Sequence, residues 1–194
     1  MSQLPVTKQD HSNCLDYRKI AAVFVSIVIL VSVVTVPMQA QQSTPQINWD
    51  GFKFLMGEWV GEGTGVPGEG TGGFTFSFEL QNTILVRKNY ANYPATKDRP
   101  AFRHDDLMVV YQEMGKTKAV YFDNEQHVIN YSVSLSNDSN SVVFVSDAIP
   151  SAPRFRLTNT KAGMDKITIT FEMAPPGKPE SFTRYIEAAA RRKK

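Results

Sequence analysis

The chain carries one cysteine in 194 residues, Cys14, and none follows it. Disulfide bonds, thiol nucleophiles and cysteine-ligated metal are thereby excluded from everything C-terminal to that position. A run of twenty apolar residues is missing as well. Ile20–Val36 spans 17 residues without a charge, behind Arg18 and Lys19 and ahead of small and polar residues ending at Ala40. That order predicts a secretory signal over 1–40, cut after Ala40, and a membrane anchor if it stays uncleaved. Cys14 precedes the apolar run, so it is not placed as the lipid-bearing cysteine of a bacterial lipoprotein.

An excess of one charge is also lacking. Residues 41–194 hold 18 Lys and Arg against 17 Asp and Glu, and Arg191–Lys194 supplies four of the positives. Without that tail the body is 14 − 17 = −3, which leaves no basic surface for nucleic acid. The tail at 191–194 reads as a solvated, frayed end.

Helical periodicity is scarce: after Met56 no segment supports a helix longer than two turns. Residues 41–46 read as a linker. Ile47–Met56 carries apolar residues without alternation and suits a short helical plug. From Gly57 onward the period is two. Phe74, Phe76, Phe78 and Leu80 share one face of the clearest strand, with Thr75, Ser77 and Glu79 on the other. Ten such segments with short connections predict an all-β fold over 47–190, a single antiparallel up-and-down barrel of about ten strands.

Gly57 and Trp59 after the apolar plug resemble the opening of the calycin group, which includes lipocalins, fatty-acid-binding proteins and nitrobindin-like barrels, and the segments Leu55–Trp59, His104–Val109 and Tyr121–Ile129 resemble small secreted bacterial proteins of unassigned function built as lipocalin-like or nitrobindin-like barrels. The resemblance implies a structural signature of Gly57 and Trp59 at the first strand, with a late Arg packed across the indole. Arg184 is the predicted position for that Arg. Nitrobindins hold haem through a His near the C-terminal end; here His104 and His127 are the two histidines after the signal, and the last 67 residues hold none. Haem ligation of that kind is therefore not expected.

Gly63–Gly68 matches G-x-G-x-x-G, but a strand follows where a phosphate site needs a helix. A flexible hairpin loop at the barrel mouth, able to serve as a lid, is the preferred reading. In the hairpin Tyr121–Tyr131, a loop of Asn124-Glu125-Gln126 sets Asp123 opposite His127. A carboxylate there raises an imidazole's pKa and fixes its tautomer, as a general base requires; a polar cluster pinning the turn is the plainer reading. His104 and Asp106 can share a face, but two ligands do not make a zinc site, so no metal is expected. Arg154 and Arg156 can clamp a carboxylate if they point inward, though the alternation turns Phe155 and Leu157 toward the core instead.

These residues lead to a secreted or periplasmic barrel that binds a small hydrophobic or amphipathic ligand without chemistry. Tyr90, Tyr121, His127, Asn130, Tyr131, Arg154 and Arg156 are the candidate ligand-binding residues. An enzyme using Asp123 and His127 for acid/base catalysis and a haem-binding nitrobindin-like protein are the alternatives.

Overall fold

The computed structural model describes residues 48–62 and 70–194. The predicted signal and linker, and the glycine-rich loop read as a lid, lie outside those residues. A 3-10 turn, Asp50–Leu55, leads into ten strands. They are β1 Gly57–Glu62, β2 Thr71–Glu79, β3 Ile84–Tyr93, β4 Phe102–Glu113, β5 Lys116–Asp123, β6 Val128–Leu135, β7 Ser141–Ser146, β8 Arg154–Lys161, β9 Lys166–Ala174 and β10 Thr183–Arg192. All neighbours pair antiparallel in chain order, and β10 returns to β1 through Gly61 opposite Ala190, so the barrel closes. Closure leaves no unpaired strand edge.

β4 starts at Phe102, which pairs with Tyr93, and their rings stack with centroids 6.2 Å apart. One boundary differs from the sequence expectation. β10 runs to Arg192, so half of the predicted tail belongs to the sheet. Trp59 opposite Arg192 and a hydrogen bond from Lys193 N to Glu58 O hold it there.

The inward rows follow the pairing, since directly opposite residues share a face. Phe76, Arg87, Met108, Tyr121 and Ile129 form one row. Phe74, Asn89, Asp106 and Asp123 form the next. The 3-10 turn plugs one end. Its Phe52 and Leu55 are buried among Trp59, Phe76, Leu85, Val110 and Phe144. Each such side chain contributes roughly 1.5–3 kcal/mol on burial. Trp49 Nε1 donates to Asn82 O and Trp59 Nε1 to Leu55 O, both at 2.8 Å, so neither indole leaves a buried donor unpaired. The chain passes from plug to strand at Gly57, whose φ of +104° disfavours other residues.

Candidate functional site

The other end of the barrel is built differently. It is bordered by the turns after β3, β5, β7 and β9, and here inward apolar side chains are only half-buried. Ile129, Phe155 and Phe171 pack on the core yet keep accessible surface. Phe155 stacks on Phe171 at 5.7 Å, and Phe171 meets Tyr185 edge-on at 6.3 Å. Tyr185 lies at a register shift between Arg184 and Ile186. Tyr93 and Phe102 continue the aromatic rim, with Arg99 over the Tyr93 ring at 5.5 Å.

A polar network lines the β3–β6 wall of this end. Arg87 Nη1 donates to Asp106 Oδ1 at 2.8 Å, and Asn89 Nδ2 donates to Asp106 Oδ2 at 2.6 Å. The Arg87 and Asp106 side chains are 13% and 4% exposed. His104 places Nε2 3.3 Å from Asp106 Oδ2 and 3.1 Å from the Tyr121 hydroxyl, and Nδ1 2.7 Å from Glu125 Oε1. Tyr121 donates its hydroxyl proton to Asp123 Oδ2 at 3.2 Å. Asp123 Oδ2 also meets His127 Nδ1 at 2.8 Å, while its Oδ1 accepts the backbone N–H groups of Glu125 and His127. The chain of contacts thus runs from an exposed imidazole to a buried carboxylate.

The protonation states follow from these contacts. The hydrogen bond to Asp106 raises the His104 pKa to about 9, against the opposing effect of burial and with help from Glu125. An imidazolium donates from both nitrogens, which suits Asp106 and Tyr121 oxygens on one side and Glu125 on the other. Burial pushes the Asp106 carboxyl up, but Arg87 and the hydrogen bonds from His104 and Asn89 outweigh it and hold it below its ordinary range. Asp123 is likewise lowered: burial opposes ionisation, and hydrogen bonds from His127 and Glu125 overcome it. Burial, with Asp106 and Asp123 nearby, pushes the Tyr121 hydroxyl far up, so it stays protonated.

Of the sequence candidates, Asp123 and His127 do pair, as the three-residue loop required, and His127 is 62% exposed. Tyr121 and Tyr131 face inward, Tyr131 fully buried with its pKa raised by burial. Tyr90 and Asn130 lie on the outer face. Tyr90 lines an external groove of about 300 Å³, where Arg103 covers its ring at 4.9 Å. Arg154 and Arg156 also point outward, as the alternation favoured: Arg156 binds Glu172 through two hydrogen bonds of 2.5 and 2.6 Å, and Arg154 binds Ser146 O and Glu180.

The Arg over Trp59 is Arg192, not Arg184. Its guanidinium carbon lies 4.4 Å from the indole centroid, and it donates to the carbonyls of Phe54 and Met56. Arg184 sits opposite Glu172 on the outer face and pairs with Glu187. Eight residues along a strand separate the two arginines, a span of about 26 Å, so Arg184 lies toward the opposite end of the barrel.

Sequence reasoning passed over Arg87, Asn89 and Glu125. For the first two a signal existed: they keep the parity of Leu85, which faces the core.

No family model and no curated protein matches the chain. Among solved structures it is similar to Rv2717c from M. tuberculosis, at 15% identity and a TM-score of 0.49, over 79% of this chain and 100% of that one.

Proposed function

We propose that the chain is a calycin-like barrel that admits a small apolar or amphipathic molecule through the end opposite the 3-10 turn and holds it without transforming it. One observation carries the reading. Inward-facing Ile129, Phe155 and Phe171 retain accessible surface behind an aromatic rim, whereas Leu55, Leu85, Val110 and Phe144 beneath the plug are fully buried and Phe78 and Val133 beside them half-buried. Apolar surface left open inside a barrel gains from covering: about 200 Å² contributes roughly 5 kcal/mol before the costs of ordering the guest. Tyr93, His104 and Glu125 at the rim would orient a polar head group. The Trp59–Arg192 pair supports the calycin-like reading, because an arginine across the first-strand tryptophan is the feature the lipocalin resemblance implies. The apolar run in 20–36 supports export to the periplasm or beyond, with a mature chain starting at Gln41 in a mass spectrum.

Fluorescence titration with 1-anilinonaphthalene-8-sulfonate tests the site, using 1-decanol as competitor. Saturable binding, displaced by decanol and weakened at least fivefold by Phe171→Ala, is the expected result. Binding unmoved by Phe171→Ala would place the dye elsewhere and remove the support.

A second reading rests on the hydrogen-bonded chain His127–Asp123–Tyr121–His104–Asp106, which links solvent to a buried carboxylate. Such a chain can pass a proton to or from a captured guest. His127→Ala would then abolish turnover while leaving uptake of the dye intact.

A further inference from the structure

His104, Asp123 and Glu125 each offer a donor atom, and these atoms lie within 4.8 Å of one another. Ligands around a single zinc-sized ion stand about 2.0–2.2 Å from it, hence roughly 3–4 Å apart. Small side-chain rotations therefore suffice to enclose an ion. Two of the donors come from strands β4 and β5, which fix them; Glu125 comes from the exposed turn that follows and is free to adjust.

The surroundings are those a ligand set needs. With the His104 nitrogen nearest Glu125 directed at the ion, its other nitrogen keeps the Asp106 carboxylate at 3.3 Å, the carboxylate–histidine arrangement that orients metal-ligating imidazoles. Asp106 is itself held by Arg87 and Asn89. Asp123 has Oδ1 tied to two backbone N–H groups, so Oδ2, which meets the Tyr121 hydroxyl and His127 Nδ1, is the oxygen turned toward an ion.

We infer that His104, Asp123 and Glu125 form a binding site for a divalent transition-metal ion at the end of the barrel opposite the 3-10 turn. One imidazole and two carboxylates suit Zn²⁺, Mn²⁺ or Fe²⁺, and the remaining coordination positions face the mouth, open to water or to a donor atom of a guest. His127 is the partner of Asp123 rather than a ligand. The site stands on the donor geometry and does not require the guest-binding reading.

Calorimetric titration of chelator-treated protein with Zn²⁺, paired with Co²⁺ absorption in the visible, provides the test. One equivalent binds, Glu125→Gln and His104→Gln each weaken it 10–100-fold, and His127→Ala changes it less than threefold. Glu125 is an exposed turn residue, so its variant keeps the fold even if His104→Gln does not. Absence of saturable binding would overturn the inference. So would binding that survives Glu125→Gln but is lost in His127→Ala, which would mark a surface histidine alone.

Discussion

Arg192, in the last strand, lies over the indole of Trp59 in the first, 4.4 Å from the ring centroid, and from there reaches the carbonyls of Phe54 and Met56 in the plug. One side chain thus ties together the strand that opens the barrel, the strand that closes it and the turn that seals its end.

Removing that side chain should be costly. A shielded cation–π contact contributes about 2 kcal/mol, and two plug carbonyls lose a charged donor. Arg192→Ala is expected to lower the urea-unfolding free energy by about 2–4 kcal/mol, while Arg184→Ala, which loses an exposed pair with Glu187, changes it by less than about 0.5 kcal/mol. Equal effects would show that Arg192 has no special role in closure.

Gly57 supplies a second check on the same junction. An added Cβ there meets Arg192 Nη1 at 2.9 Å, and the backbone φ is +104°. Gly57→Ala should cost about 1–3 kcal/mol in the same unfolding experiment.

The buried pair Arg87–Asp106 makes an asymmetric prediction. Arg87→Met leaves a carboxylate 4% exposed with His104 as its remaining cation, a loss of about 2–4 kcal/mol. Arg87→Met combined with Asp106→Asn removes the stranded charge and should recover part of that loss. A double variant as unstable as the sum of both singles would show that the charges act independently.

His104 gives a pH dependence whose direction follows from its pKa. In the unfolded chain the imidazole loses its proton near 6.5, in the folded chain near 9. The stabilisation it brings is complete below about pH 6.5 and disappears as the pH rises through 9. Asp106 and Asp123 are shifted downward, so their contribution is present above about pH 3.8 and is lost as the pH falls through their folded values. Melting temperature should therefore be highest between about pH 4 and 6.5. In His104→Gln the decline on the alkaline side should flatten.

How much of this could be read from residues alone differs by element. Phe74, Phe76 and Phe78 alternate with polar neighbours, and short polar turns repeat along the chain, so strand number and order were legible. The Asp123–His127 pair was legible too, because a three-residue loop fixes its own register. Contacts across strands were not. Arg184 and Arg192 look alike in sequence, and only the ladder places Trp59 opposite Arg192. Arg191 and Arg192 read as part of a solvated tail because a cluster of cations usually lies in water; the wall of the barrel holds them instead. His104 meets Glu125 and Tyr121 only because Asp106 pairs with Asp123, a register set between β4 and β5.

Native mass spectrometry of the protein purified from its own host tests the central claim most directly. A retained small molecule, released on denaturation and diminished in Phe171→Ala, is the predicted result. A bare polypeptide mass in every preparation, with no uptake of added 1-decanol, would contradict a barrel that holds a guest.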